Sequence, residues 1–252
     1  RDRVTVMSPV TAMSPEEFRR VTEVTYLGQV HGTMAALRQM RQRDQGVIVA
    51  VGSALSYRAI PLQSAYCAAK FAVRGFMDSL RVELLHDRSR IRLTMVQLPA
   101  VNTPQFEWAR NRMGERAQPV PPIHQPEAVG EAIFAAAVQP KREVWLGWPT
   151  LKAILGAMAV PGLADRILAR QGYSGQLTGE ALPAGRQDNL FRPVPGPHRT
   201  RGRFSSRASS RVHAIEPALL RAVIGGAVLA LPALAWMAGR RSGARSRPRL
   251  GG

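Results

Sequence analysis

The sequence predicts an α/β fold in which a doubly wound parallel sheet is covered by helices on both faces. Helical and strand-like segments alternate along roughly the first 150 residues, which is the pattern of such sheets. Residues 46–53 form a continuous apolar run rich in β-branched side chains, as expected of a strand buried on both faces. The 252 residues are 45% hydrophobic, which is enough to bury a core of average size.

The first predicted helix has a well-marked start. Ser14 is a typical N-capping residue, Pro15 follows at the first helical position, and Glu17 stands three residues after the cap. Apolar residues at helical spacing extend this helix to about Arg43. The later elements are a helix over residues 63–86, a strand over 91–98, a helix over 126–138, a strand over 143–146 and a helical stretch over 151–170. Because the series opens with a helix, we expect the sheet to lack its N-terminal half.

The composition changes after residue 172. Residues 1–172 are predicted to form the α/β domain, and residues 173–213 a flexible linker, because they are dense in Arg, Gly, Pro and Ser and have few apolar groups to offset the ordering entropy. Residues 214–239 are predicted to form a transmembrane or membrane-associated helix, since residues 222–239 carry no charge and nearly suffice to cross a bilayer. A buried or partner-binding helix is the alternative. Residues 240–252 are a basic tail.

The net charge of +18 does not by itself indicate nucleic acid as a partner. Only three of the 35 basic residues are Lys, and such a bias towards Arg can reflect genome composition. No aromatic stacking platform accompanies the arginines of the predicted linker, so we predict contact with anionic lipid headgroups and no nucleic-acid partner. The five His residues lack the spacing of zinc ligands, and no metal site is predicted.

One group of residues carries recognisable chemistry. Tyr66 and Lys70 stand four apart in a predicted helix and therefore share one of its faces. A phenol has a pKa of about 10, and a nearby cation lowers that pKa because it favours the phenolate. Ser53 follows the buried strand and places a hydroxyl where open α/β sheets bind ligands. The alternative is that the tyrosine and the lysine form an ordinary contact on a solvated helix surface.

These motifs resemble the short-chain dehydrogenase/reductase family over about residues 4–147. The resemblance lies in a strand ending at Gly52 and Ser53, in the Tyr66-Cys-Ala-Ala-Lys70 motif, and in a later strand followed by Pro99-Ala100-Val101-Asn102-Thr103. It implies a Rossmann-like fold and hydride exchange between NAD or NADP and a carbonyl or alcohol. Tyr66 would donate or accept the proton, Ser53 would orient the substrate oxygen, and Lys70 would lower the pKa of the tyrosine and bind the nicotinamide ribose.

The same resemblance assigns further residues. Pro99, Ala100, Val101 and Thr103 would line the nicotinamide, and Thr25 stands where the family usually has an Asn that holds a proton-relay water. The glycine-rich G-x-G-x-x-G turn is absent from the sequence. We therefore expect the dinucleotide-binding half to be missing and the 252 residues alone not to retain the cofactor.

Two functions follow from these features. The first is an NAD(P)-dependent oxidoreductase that acts on a small, apolar carbonyl or alcohol. It would be associated with a membrane through residues 222–239, and its catalytic part would lie in the cytoplasm. A homo-oligomer is a possible assembly of this enzyme. The alternative is a non-catalytic, truncated fragment of such an enzyme or a membrane-bound interaction protein.

Overall fold

A computed structural model describes residues 4–196, 198–218, 220 and 222 of the chain. Contacts divide the chain into a compact unit that ends at Ile215, which holds all elements described here, and a second unit that begins at Glu216. The helices are α1 (Pro15–Thr22), α2 (Gly28–Arg41), α3 (Ser64–His86), α4 (Gln105–Trp108), α5 (Pro126–Val138), α6 (Gly147–Ala159) and α7 (Pro161–Gln171). The strands are β1 (Val6–Met7), β2 (Gly46–Val51), β3 (Ile91–Gln97), β4 (Ala100–Val101), β5 (Arg110–Asn111), β6 (Glu115–Ala117), β7 (Ile123–His124), β8 (Glu143–Leu146), β9 (Leu177–Ala181), β10 (Ala208–Ser209) and β11 (Ala214–Ile215).

The predicted helices and strands are present in the predicted order, but the series does not open with a helix, because the short strand β1 precedes α1, and further short elements lie between β3 and α5. The helix expected from Ser14 is present as α1 and α2, joined without a break by one π-helical turn, Glu23–Leu27. Its start has both bonds of a capping box, because the Glu17 N–H donates to Ser14 Oγ (3.3 Å) and the Ser14 N–H donates to Glu17 Oε2 (2.9 Å). The predicted 151–170 stretch is split by Pro161 into α6 and α7.

The largest sheet within the described residues has the order β11-β8-β3-β2. Strands β2, β3 and β8 are parallel, and β11 joins β8 in the antiparallel direction. Successive side chains of a strand point to opposite faces, so Ile48 and Leu93 pack with α3 while Val96 and Val144 pack with α5. Helices therefore cover both faces, and the doubly wound α/β class is confirmed.

Residues 173–213, predicted as a flexible linker, are instead folded onto the α/β body. Strand β9 pairs with β6, and β10 extends a small parallel sheet with β7 and β4. Leu190 is fully buried and Phe204 is 5% exposed. Two of the arginines that suggested disorder form ion pairs with carboxylates of the body, Arg199 with Glu107 (2.6 Å) and Arg201 with Glu127 (2.8 Å). We call residues 186–196 and 198–209 the strap.

A buried carboxylate ties α1 to the body and, through one arginine, to the strap. The Glu17 side chain is 2% exposed and accepts hydrogen bonds from Arg112 (2.6 and 2.8 Å) and Arg110 (2.8 Å). Arg110 also donates to Asp188 of the strap at 2.8 Å. The bonds from Arg112, followed by that from Arg110, outweigh the opposing effect of burial and lower the pKa of Glu17 to about 2.

The predicted membrane segment lies almost wholly outside the described residues. Of the predicted 214–239 helix, residues 214–215 form β11 and pair with β8, and residues 223–239 are not described. None of the helices in the described part of the chain has the length and apolar character needed to cross a membrane. Membrane association therefore stays a prediction, as does a homo-oligomeric assembly.

Candidate active site

Ser53 lies just beyond the carboxyl end of β2, at the wall of a cavity. Its hydroxyl accepts a hydrogen bond from the Leu55 N–H (3.1 Å) and so caps a short 3₁₀ turn, Ala54–Ser56. Its own N–H donates to Gln97 Oε1 at 2.8 Å. The residue is 8% exposed. Because the hydroxyl oxygen is held as an acceptor, its proton can be donated to a ligand in the cavity.

Tyr66 and Lys70 lie one turn apart near the start of α3. The Lys70 ammonium is 5.7 Å from the centre of the Tyr66 ring. It also donates to the Val51 carbonyl at 2.8 Å, which ties α3 to the strand end two residues before Ser53. Lys70 is only 6% exposed, so its charge acts in a partly desolvated environment. The alternative of a solvated surface pair does not describe these buried side chains.

The surroundings of Tyr66 are largely apolar. The ring is 3% exposed and belongs to a cluster with Val4, Val6, Val21 and, from the strap, Leu190. Neither Tyr66 nor Lys70 is among the residues that line the cavity at Ser53. Ser53, Tyr66 and Lys70 thus lie around the carboxyl end of β2, as predicted from the sequence. The ring of Tyr66, however, is covered by apolar side chains.

Thr25 occupies the middle of the π-helical turn, which packs against α3. It is 2% exposed, and its hydroxyl has no hydrogen-bond partner among the described residues. Single π turns inside α-helices are frequent at functional sites. Gln29, four residues later, donates to the Val51 carbonyl (3.2 Å), the same oxygen that Lys70 binds. The helix that carries Thr25 is therefore fixed to the end of β2.

The cavity beside Ser53 has a volume of about 390 Å³. Its walls come from the ends of β2 and β3, from residues 118–121, and from α6 and α7. Most of the lining side chains are apolar, including Phe106 and Leu163, and the few polar groups include Ser53 and Gln118. A cavity of this size and composition suits a small ligand with an apolar body and one polar group.

The residues assigned to the nicotinamide are divided between the cavity and the core. Pro99 and Ala100 line the cavity, whereas the Val101 side chain packs in the core between the sheet and α5. Thr103 lies under the strap, since a Cβ added to Gly202 would be 2.6 Å from the Thr103 carbonyl oxygen. A contact between the Val101 side chain and a cofactor is therefore not supported by the packing.

Three polar residues at the site, of which Gln97 and Glu143 are buried, were not predicted. Gln29 binds the strand end, and Gln97 and Glu143 form a hydrogen-bonded pair behind Ser53. A signal was available for Gln97, because an amide in a strand whose other side chains are mostly apolar must find partners inside the protein.

Residues 4–113 match the family model of the short chain dehydrogenases. This part of the chain, which is less than half of it, is therefore similar to the short chain dehydrogenases. The chain is 31% identical over 232 residues to the uncharacterized oxidoreductase YxnA of Bacillus subtilis, an alignment that covers 90% of this chain and 63% of YxnA. It is 32% identical over 162 residues to dehydrogenase/reductase SDR family member 7B of Bos taurus, covering 62% of this chain and 49% of that protein. The chain thus spans about half to two thirds of the length of these relatives.

The short chain dehydrogenase fold is also supported by solved structures. A short chain dehydrogenase from Burkholderia cenocepacia in complex with NADP superposes with a TM-score of 0.53 and 25% identity, over 66% of this chain and 65% of that one. A short-chain dehydrogenase from Streptomyces avermitilis gives a TM-score of 0.52 at 20% identity, over 69% and 68% of the two chains, and shows the fold alone.

The residues present fit one end of a nicotinamide cofactor. The ammonium of Lys70 and the hydroxyl of Tyr66 are donors of the kind that ribose hydroxyls bind, and Thr25 has a buried hydroxyl with no partner among the described residues. For the pyrophosphate, the sequence contains no glycine-rich turn of the G-x-G-x-x-G type.

Proposed function

We propose that this chain is the substrate-binding and proton-transfer part of an NAD(P)-dependent oxidoreductase that acts on a small, apolar carbonyl or alcohol. The observation that carries the proposal is the position of Ser53. Its hydroxyl stands at the wall of an apolar cavity, and the same strand end holds Lys70 beside Tyr66. That its named relatives are oxidoreductases agrees with this assignment.

In this proposal each residue has a distinct role at the substrate oxygen. Ser53 donates a hydrogen bond to that oxygen and orients it, and Tyr66 gives the oxygen a proton during reduction or removes one during oxidation. Lys70 stabilises the phenolate form of Tyr66 by its charge and binds the ribose. Thr25 holds a water that returns the proton to solvent. The nicotinamide, when bound, supplies or accepts the hydride.

The proposal is tested by replacing the acid/base group. Tyr66→Phe removes the hydroxyl and keeps the ring, and in a protein that joins this chain to a glycine-rich dinucleotide-binding segment it should lower turnover of an apolar ketone with NADPH by about 10²-fold or more. Tyr173→Phe is the matched control, because Tyr173 is 44% exposed and is not among the residues that line the cavity. Equal turnover in Tyr66→Phe and the native chain would mean that another group moves the proton.

A non-catalytic interaction protein is the second candidate, and one observation favours it. The Tyr66 ring is covered by an apolar cluster that includes Leu190 of the strap. A domain that no longer catalyses a reaction does not need to keep the Tyr66 hydroxyl accessible to a substrate. Turnover of any apolar ketone or alcohol with NADH or NADPH, lost in Tyr66→Phe, would exclude this candidate.

A further inference from the structure

Ser53 is held by a hydrogen-bonded chain of buried side chains that begins at β8. Gln97, which is fully buried at the end of β3, accepts the Ser53 N–H through Oε1 (2.8 Å) and donates through Nε2 to Glu143 Oε1 (2.9 Å). Glu143 is 6% exposed, and Tyr57 donates its hydroxyl to the same carboxylate oxygen at 2.6 Å. The chain therefore runs from Tyr57 through Glu143 and Gln97 to the backbone of Ser53.

The carboxylate determines which way the amide of Gln97 points. Glu143 Oε1 accepts hydrogen bonds from the Tyr57 hydroxyl and from Gln97, so the NH₂ group of Gln97 has to face Glu143. The amide oxygen must then face the other way, towards the Ser53 N–H. A glutamine without this carboxylate has two nearly isosteric orientations, and one of them would place a donor against the donor of Ser53.

Gly52 makes room for this arrangement. A Cβ at residue 52 would lie 2.3 Å from Gln97 Oε1 and 2.9 Å from the terminal carbon of Met95. Since real Cβ atoms do not approach other atoms so closely, a side chain at this position would push the amide of Gln97 away from Ser53. The glycine that precedes the serine is thus required by the glutamine on the neighbouring strand.

We infer that Gln97 and Glu143 are positioning residues that fix the backbone of Ser53, so that its hydroxyl is presented to a carbonyl oxygen in the cavity. The inference rests on the proposed function of Ser53. The N–H of Ser53 donates to Gln97 Oε1 at 2.8 Å and, over a longer 3.3 Å, to Ser56 Oγ, and the Ser53 Oγ accepts the Leu55 N–H, so the backbone and the hydroxyl are both restrained. Buried polar chains of this kind stabilise one geometry when every member is satisfied.

The test uses the full chain and the infrared absorption of bound acetophenone, labelled with ¹³C at its carbonyl group. A hydrogen bond from Ser53 lowers the stretching frequency of that carbonyl, and Ser53→Ala should remove the shift. Gln97→Met, which has the same length and no amide, should lose more than half of it. Gln105→Met is the control, because Gln105 is a buried glutamine outside this chain of bonds, and its shift should equal that of the native protein.

A second variant makes the hydrogen-bond chain depend on pH. In Gln97→Glu, a protonated carboxyl reproduces the amide, with an O–H that donates to Glu143 and an oxygen that accepts from Ser53. Two carboxylates cannot both ionise at this separation, so burial and the charge of Glu143 raise the pKa of the new group. Other groups near Glu143 include the Tyr57 hydroxyl and the cation Arg81, and Arg74 lies 3.8 Å from the centre of the Tyr57 ring.

The carbonyl shift in Gln97→Glu should therefore be complete at pH 5 and reduced at pH 8, whereas the native protein should show the same shift at both. A full shift in Gln97→Met, or a shift in Gln97→Glu that is independent of pH, would overturn the inference. If Ser53→Ala keeps the shift, or acetophenone does not bind, the proposed function of Ser53 fails instead. In that case the exchange rate of the Ser53 amide hydrogen tests the role of Gln97 without a ligand. The exchange should be faster in Gln97→Met than in the native protein, and it should return to the native rate in Gln97→Glu at pH 5.

Discussion

Replacing Glu17 by Gln tests the strongest buried electrostatic interaction described above. The pKa of Glu17 falls from its ordinary value of 4.5 to about 2, and this difference corresponds to about 3 kcal/mol of folding free energy at pH 7. Breaking a buried ion pair by removal of one partner typically costs about 3–5 kcal/mol. The lower end applies here, because Arg110 keeps Asp188 as a partner and the Arg112 side chain is 37% exposed to water.

The assay is urea denaturation followed by circular dichroism at several pH values. A carboxylate whose pKa is lowered on folding stabilises the protein above its unfolded pKa, and this contribution is lost as the pH falls through the folded pKa. The free energy of unfolding of Glu17→Gln should thus be about 3 kcal/mol below that of the native chain at pH 7, and the gap should narrow between pH 4.5 and pH 2.

Glu16→Gln is the matched control for this prediction. Glu16 is the neighbouring carboxylate in the same first helical turn, but its side chain is exposed. Its replacement should leave the urea midpoint close to that of the native protein. Equal stability of Glu17→Gln and the native chain at pH 7, or a gap that does not change with pH, would refute the reasoning from the pKa.

Four other predictions follow from the packing and the sequence. Gly52→Ala should destabilise the protein by about 1–3 kcal/mol in urea denaturation, because its Cβ displaces Gln97, whereas Gly75→Ala on α3 meets no atom within 4 Å and should be neutral or stabilising. Leu190→Ala should lower the free energy of unfolding by about 2–5 kcal/mol, and the exposed Phe191→Ala should change it far less. Calorimetry with NADPH should show no saturable binding by the 252 residues, because they contain no G-x-G-x-x-G turn to hold the pyrophosphate, and micromolar binding would contradict this expectation. Deleting residues 212–252 should move the protein from the membrane to the soluble fraction, and a native chain that is already soluble would rule out the anchor.

The parts of the fold that were predicted are those set by local sequence. Ser14 and Glu17 form a capping box because both partners lie within four residues, and the run of β-branched residues in β2 needs no distant contact to be recognised. The same holds for the site, where the spacing of Tyr66 and Lys70 fixes their common helix face. Ser53 could be placed because it directly follows a buried strand.

The parts that were not predicted depend on contacts between distant residues. Composition predicted a flexible segment at residues 173–213, but the burial of Leu190 depends on α1 and α3, and the charge of Arg199 is balanced by Glu107. The role of Gln97 depends on the register of β2 against β3, in which Val51 lies beside Val96. Neither a partner 92 residues away nor a strand register is visible in the spacing of apolar residues.

The way the strap closes over the N-terminal helix also affects how the protein is made. The Leu190 carbonyl accepts a hydrogen bond from Arg20, a residue 170 positions earlier in the chain. At the usual speed of protein synthesis, roughly ten to thirty seconds separate the translation of these two residues. During that interval Val6 and Val21 lack Leu190 as a packing partner, so the burial of this apolar cluster is complete only after the strap has been synthesised.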